Sequence, residues 1–368
     1  MEMYAIMSLR SQPSRTILSI GGIALCVLLM LFLIGVYRGV EEGSLEFIHH
    51  NRADLWVLQG NANNILRCTS ILRYSSANDI ANITGVKSVA PLFLLLATVG
   101  NKDNAATVYM AGYNPSTGLG GPPEILKGRT IKSSDEIVLD QAFANKYDYE
   151  LGDSVTLQGC RLSLVGICGG TNAFVIQYAF VNLQRSWQLA GFSEIVTCFM
   201  VNLDNSRAAA AVAGDIQNLI PNTKVFEHET FLENNIREMQ AGFLPFISTL
   251  AFLGAVVLIS ILSLLLSISI IERSRDFAVM KTFGASNSFL WQLVTRQALL
   301  LVGIGTVIAI GLFPLLAILI EAITPEVAAR LTFLEIIKVV SVTMIVAVIS
   351  SLIAMSRLRH IYALEAFK

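Results

Sequence analysis

The sequence predicts a membrane protein with four transmembrane α-helices and a large α+β extracytoplasmic domain between helices one and two. Three observations predict it. Four long uncharged stretches occur, at Thr16–Tyr37, Met239–Ile271, Gln297–Ile320 and Val339–Ser356. Each reaches or approaches the roughly 20 apolar residues that cross a bilayer core of about 30 Å. They are split one-then-three around a polar segment. Hydrophobic residues make up 54% of the chain, charged residues 14%, and mean hydropathy is +0.62. That balance lies outside the range of soluble globular proteins.

Residues 1–38 are read as an N-terminal amphipathic segment and the first helix, with Arg15 and Arg38 flanking the apolar run. The run exceeds a signal-peptide core, and Gly35-Val36-Tyr37-Arg38 offers no small-x-small cleavage site, so the helix is expected to be retained. The external domain is placed at 39–228. Asp54–Gln59, Val86–Leu96, Thr107–Gly112, Glu136–Leu139, Ser154–Leu157 and Leu162–Ile167 read as strands punctuated by Gly and Pro. Asn78–Ile83 reads as a helical turn and Ser206–Leu219 as an Ala-rich helix ending before Pro221. Asn101–Lys132 looks loop-rich.

A stalk and second helix are expected over 229–271. Met239–Ile271 would extend about 50 Å at 1.5 Å per residue, more than a membrane needs. The surplus reads either as a helical stalk or as a tilted span plus buried residues of the domain. Pro245 sits near the outer boundary, where a kink is tolerated. The remaining segments are a cytoplasmic coupling segment at 272–296, a third helix at 297–320, a short external loop at 321–338, a fourth helix at 339–356 and a tail at 357–368.

Positive charge sets the orientation. Arg10 and Arg15 precede helix one; Arg273, Arg275, Lys281 and Arg296 lie between helices two and three; Arg357, Arg359 and Lys368 follow helix four. The link between helices three and four instead carries Glu321, Glu326 and Glu335 against Arg330 and Lys338. Both termini and the 272–296 loop are therefore expected in the cytoplasm, in a multi-pass inner (plasma) membrane protein with its large domain periplasmic.

Much chemistry lacks a motif. The net charge of −1 gives no basis for nucleic-acid binding. No Gly-x-x-x-x-Gly-Lys-Ser/Thr, Gly-x-Ser-x-Gly or His-Glu-x-x-His occurs. Gly118-Leu119-Gly120-Gly121 runs into Pro122-Pro123, which suits a turn and not a phosphate-binding helix start. His49 and His50 are adjacent, so on a helix they point about 100° apart and read as a solvated pair. Catalytic residues, cofactor and metal are all expected to be absent. Cys68, Cys160, Cys168 and Cys198 lie in the domain and Cys26 in helix one. Cys160 with Cys168, expected on adjacent strands, is the easiest disulfide to draw; buried free thiols are the alternative. The spans carry no Asp, Glu, Lys, Arg or His in their interiors, so ion coupling has no visible relay. Gly35, Gly39 and Gly43, and Ser260, Ser263 and Ser267, recur at helical spacing, a pattern that also permits helix–helix and dimer contacts.

The sharpest local signal is Glu272-Arg273-Ser274-Arg275-Asp276-Phe277-Ala278-Val279-Met280-Lys281-Thr282-Phe283-Gly284-Ala285-Ser286. It reads as a continuation of the second helix, stopped by Gly284 at C′ and restarted by Ser286 as an N-cap. Phe277, Met280 and Phe283 fall at three-residue spacing on one face, making an amphipathic elbow for a cytoplasmic partner or for the membrane surface.

At these residues the chain resembles the MacB/FtsX-like permeases of ABC transporters. Their coupling segment reads Glu-Arg-x-x-Glu-(Ile/Phe)-(Gly/Ala)-Val-x-(Lys/Arg)-x-x-Gly-Ala-Ser, and Asp276 stands here in the acidic position. Ser8–Thr16 looks like the family's lead-in to helix one, with Gly22-Ile23-Ala24 after it. Thr84–Pro91 and Leu151–Val155 look like its domain signatures. The tail Arg357–Lys368 looks like its usual ending, with Tyr362-Ala363 where the family often has Asp-Pro.

The resemblance implies a non-catalytic subunit without a cofactor of its own, ATP being bound by a separate ATPase partner. It implies a homodimer in the lipid bilayer that passes ATPase motion to the external domain, with Glu272, Arg273, Asp276, Phe277, Met280, Lys281, Phe283, Gly284, Ala285 and Ser286 as the coupling segment. The Ala53–Leu58 stretch looks closest to DevC-type exporters, which work with a membrane-fusion protein and an outer-membrane channel; lipid, glycolipid, peptide or drug would be the cargo. Two alternatives stand beside this: an FtsX-like signalling subunit controlling a cell-wall hydrolase, and a haem exporter with His49, His50 and Met239 as candidate ligands.

Overall fold

The computed structural model describes residues 13–358 apart from 66–67, 101–104, 174–175, 205, 243, 273, 325–326 and 328. Most of the lead-in before Pro13, and the tail beyond Leu358, lie outside the described residues. The chain forms two compact units, one of residues 1–38, 245–320 and 329–368, the other of 39–244 and 321–328.

The second unit is an α+β domain on an eleven-stranded sheet. Its main path places β13 (Thr223–Glu227), β1 (Leu55–Gln59), β12 (Cys198–Leu203), β3 (Val86–Val99) and β4 (Ala106–Tyr113) side by side. β10 (Ile176–Asn182), β6 (Glu136–Asp140), β8 (Cys160–Gly169) and the edge strand β5 (Glu124–Gly128) complete that path. β7 (Ser154–Leu157) pairs with β3 and β8, and β9 (Asn172–Ala173) pairs with β10. The pairs β4–β10 and β6–β8 are parallel.

Both faces of the sheet are buried, and the period of two along each strand decides which face a residue serves. Leu55 and Val57 enter one core while Trp56 and Leu58 enter the other. Phe199 and Val201 oppose Met200 in the same way, as Ile137 and Leu139 oppose Val138. Such strands read as unbroken apolar runs, so Leu-Trp-Val-Leu was recognisable without alternation. Helices α4 (Leu183–Ala190) and α5 (Ala209–Leu219) cover the first face through Leu183, Val212 and Ile216. Leu45, Phe47 and Ile48 cover the second, with Phe231 and Leu232 of α6 (His228–Ala241).

Two sequence expectations change here. Helix α1 runs from Pro13 to His50, well past Tyr37. Arg38, Glu41 and Glu42 end the apolar run but are compatible with helix, and the extension is fixed by burial of Phe47 and Ile48 at 1% and 0% exposure. The second change concerns the cysteines. Cys160 and Cys168 lie at the two ends of one strand, β8, about 26 Å apart at 3.3 Å per residue. A disulfide needs Cα atoms within about 7 Å, so these two cannot pair; Cys26, Cys68, Cys160, Cys168 and Cys198 are all free thiols.

Helix α6 packs on the domain. Phe231 stacks on Trp56 with ring centroids 4.5 Å apart, and Asn235 accepts from Ile65 N–H and donates to the Phe231 carbonyl. It ends at Gly242, whose φ of −88° and ψ of −102° are not helical. Helix α7 (Leu244–Glu272) begins beyond that break.

The first unit packs α7, α9 (Asn287–Ile323) and α10 (Phe333–Leu358) with the first part of α1. Among the described residues, Thr16–His50, Pro245–Glu272, Asn287–Ile323 and Phe333–Ala354 are helices long and apolar enough to cross a membrane. Ile23, Val27, Leu258, Leu262, Val302 and Ala347 form their shared interior at or near zero exposure. Leu18, Phe252 and Leu315 are exposed on the outer side at 78%, 68% and 65%, the arrangement expected where lipid, not water, is the surroundings.

Candidate functional site

Helix α8 (Ser274–Thr282) follows α7 and carries the candidate coupling segment. Its end is closed by a Schellman motif. The N–H of Ala285 donates to the Met280 carbonyl at 3.0 Å and that of Gly284 to Lys281 at 3.0 Å. Gly284 takes φ +86°, a left-handed conformation that suits a residue without Cβ. Ser286 then caps α9, its Oγ accepting from Phe289 N–H at 3.2 Å while its carbonyl accepts from Leu290. Stop and restart thus use four residues, and α8 is a short, sharply bounded elbow.

The elbow has two apolar sides. Phe277 is buried at 7% exposure in the interior shared with α7, α9 and α10, and Ala278 is buried at 4%. Met280 and Ala285 pack partly against the same interior. Phe283 is 89% exposed and Val279 50%. The single face expected for Phe277, Met280 and Phe283 is therefore divided. The reason is geometric: at about 100° per residue, positions six apart lie about 120° apart around a helix, so three-residue spacing does not keep Phe283 in line with Phe277. Glu272 and Ser286 are exposed and Lys281 half-buried. Arg273 lies outside the described residues, and of Asp276 only the helical backbone is described.

Polar contacts stitch together the helices that hold the elbow. Gln297 Nε2 donates to Ser269 Oγ at 3.3 Å, joining α9 to α7. Thr295 and Ser351 hydroxyls share a hydrogen bond of 2.9 Å between α9 and α10. Ser350 Oγ donates to the Ile259 carbonyl at 3.3 Å, joining α10 to α7. In a bilayer such bonds hold helices together where the hydrophobic effect gives no drive.

Sequence reasoning missed one charged contact, between Arg38 of α1 and Glu335 of α10. The capping-box spacing of Thr332-Phe333-Leu334-Glu335 ahead of an apolar run signalled the cap but not the Arg38 partner, 297 positions away. No group of three or more His, Cys, Asp or Glu able to hold a metal occurs among the described residues.

Comparison with known proteins agrees with this architecture. The MacB-like periplasmic core domain family matches residues 16–219, and the FtsX-like permease C-terminal family matches 248–363. An uncharacterised ABC transporter permease of Mycobacterium tuberculosis is 22% identical over 316 residues, 85% of each chain. A protein of Staphylococcus haemolyticus, bearing the name of the hemin transport system permease HrtB, is 21% identical over 342 residues. That match covers 92% of this chain and 91% of the relative. The periplasmic region of MacB from Actinobacillus actinomycetemcomitans aligns with 50% of this chain and 94% of its own, at 13% identity and a TM-score of 0.40. With four membrane helices around one large inserted domain and both family regions in their expected order, the chain belongs to the MacB/FtsX-like family of ABC transporter permeases.

Proposed function

We propose that this permease couples ATP hydrolysis on a separate ATPase subunit to movement of its large domain, and that the elbow 272–286 is where the ATPase docks. The observation that carries this reading is the exposure of Phe283, at 89%, on an elbow whose other side is buried among the membrane helices. A large aromatic left uncovered on a sharply bounded turn is an anchor for a pocket on a partner. Motion received there passes to α7, α9 and α10 through the bonds at Ser269, Thr295 and Ser350.

In this reading both termini and the elbow are cytoplasmic and residues 39–228 lie on the far side of the membrane. The charges at Arg275, Lys281 and Arg296 support it. The chain works as a homodimer, carries no cofactor or catalytic site of its own, and exports an amphiphilic cargo such as a lipid, glycolipid, peptide or drug. A membrane-fusion protein and an outer-membrane channel complete the route. Affinity purification of the tagged chain from native membranes in mild detergent tests this. Co-purification of a Walker-motif ATPase with a membrane-fusion protein is the expected result. An ATPase with a cell-wall hydrolase would support the signalling alternative, and absence of any ATPase would overturn the reading.

A second reading rests on the relative named for hemin transport, with which this chain aligns over 92% of its length. In it haem is the cargo, and His49 and His50 at the end of α1 are exposed imidazoles able to meet it. Adding haem to the purified protein tests this: a shifted Soret band lost in the His49→Ala/His50→Ala variant supports it, and an unchanged haem spectrum removes it.

A further inference from the structure

Helix α1 meets α10 through a contact that serves two purposes. Arg38 Nε donates to Glu335 Oε1, an ion pair between residues 297 positions apart in sequence. The second carboxylate oxygen, Oε2, accepts the N–H of Thr332 at 3.1 Å, while Glu335 N–H donates to the Thr332 carbonyl. Thr332 and Glu335 are thereby the N-cap and N3 residues of α10, with the glutamate reaching back as in a capping box. One turn earlier on α1, the Gly35 carbonyl accepts the N–H of Arg330 at 3.0 Å. The link ahead of α10 is thus bonded to α1 at two levels.

Two observations make this more than a surface pair. Glu335 is 5% exposed, and a buried carboxylate that loses its cation is costly, whereas neutralising both partners often is not. The second concerns continuity. Helix α1 runs unbroken from Pro13 through Arg38 to Phe47 and Ile48 in the core of the domain. The path on the other side is interrupted, since α6 stops at Gly242 before α7 begins. An unbroken helix transmits displacement along its axis; a chain with a non-helical glycine can absorb it.

We propose that Arg38 and Glu335 are positioning residues that form the joint through which movement of α7, α9 and α10 reaches α1 and, along it, the domain. This rests on the reading of the chain as an ATP-driven permease. Glu335→Gln isolates the charge from the cap, because the amide oxygen can still accept from Thr332. The paired variant Arg38→Gln/Glu335→Gln removes both charges, leaves neither buried ion unpaired and is chosen to fold.

The test uses the full chain with its ATPase in lipid nanodiscs. Hydrogen exchange over residues 39–50 is measured with and without ATP, alongside the affinity of the ATPase for the permease. In the wild type, ATP changes exchange in that segment. In the paired variant the ATP-induced change falls by at least about fivefold, the lower range of an energetic coupling, while ATPase affinity stays within about twofold. Glu335→Gln alone, which keeps the acceptor for Thr332, reproduces most of that loss. An undiminished response in the paired variant, or in Glu335→Gln, would overturn the joint. If the wild type binds no ATPase and shows no response to ATP, the permease reading itself fails.

Discussion

Phe277 and Phe283 lie six residues apart on one elbow and face opposite surroundings: Phe277 is 7% exposed among the membrane helices and Phe283 is 89% exposed. The first anchors the elbow to the protein and the second is presented by it. Substitutions at the two positions should therefore fail in different ways. Phe277→Ala should destabilise the membrane unit by on the order of 2 kcal/mol, the packing part of a phenylalanine loss. Phe283→Ala should leave its stability within about 0.5 kcal/mol, as for exposed sites generally. Thermal unfolding in detergent, followed by loss of monodisperse protein, separates the two.

The end of the elbow depends on backbone conformation and not on space. Nothing lies within 4 Å of a Cβ added at Gly284, yet φ is +86°. Gly284→Ala should cost about 1–2 kcal/mol of local stability from the left-handed penalty alone. Faster amide exchange at Gly284 and Ala285, the donors of the two closing bonds, would register it; unchanged exchange would mean that the Schellman motif is not what holds the turn.

In the domain, Gly112 marks where α4 lies against β4. A Cβ there would sit 2.0 Å from Ser186 Oγ and 2.5 Å from its Cβ. Gly112→Ala should destabilise by about 1–3 kcal/mol through overpacking, and Ser186→Gly in the same chain should restore part of the loss. A second-site change that gives no relief would show that the clash is not with Ser186.

Arg129 grips Glu136 through both terminal guanidinium nitrogens, at 2.8 and 2.7 Å. That contact, with N–H bonds from Lys132 and Ser133, lowers the carboxyl from 4.5 to about 2. A depressed carboxylate contributes stability above its unfolded value and loses it as pH falls through the folded one. Glu136→Gln should therefore melt below the wild type at neutral pH, with the gap closing between about pH 4.5 and about pH 2. A gap that stays constant down to pH 2 would contradict this.

Free thiols follow from the strand assignment. Cys160 and Cys168 occupy opposite ends of β8, so alkylation of the denatured, unreduced protein followed by mass spectrometry should find both modified. A peptide pair linked through these two cysteines would require a different register for the strand.

Much of this architecture was legible because burial writes a simple pattern. The four helices announced themselves by length, and Leu55–Gln59, Glu136–Asp140 and Ser154–Leu157 fell within a residue of their expected bounds. Apolar runs flanked by Gly or Pro carry that information locally. The extension of α1 to His50 did not show, because hydropathy ends at Arg38 while helicity does not. What holds that extension is Phe47 against Tyr178, rings 5.1 Å apart, a contact across 131 positions that no local window contains. The same limit hid the Arg38–Glu335 pair; Cys160 and Cys168 were misplaced locally, since the strand read at Leu162–Ile167 extends to hold both. At the elbow, Gly284 and Ser286 gave the stop and restart, and the division of Phe277 from Phe283 was legible too, since six residues leave two side chains about 120° apart around a helix.

The most direct test of the coupling account is the ATPase rate of the reconstituted complex with wild-type chain and with Phe283→Asp. A charge placed at an exposed anchor should reduce permease-dependent stimulation at least about tenfold, the cost of a hot-spot residue, with the melting temperature of the permease unchanged. Equal stimulation by both chains, at equal stability, would contradict docking at the elbow and with it the proposed route from ATP to the domain.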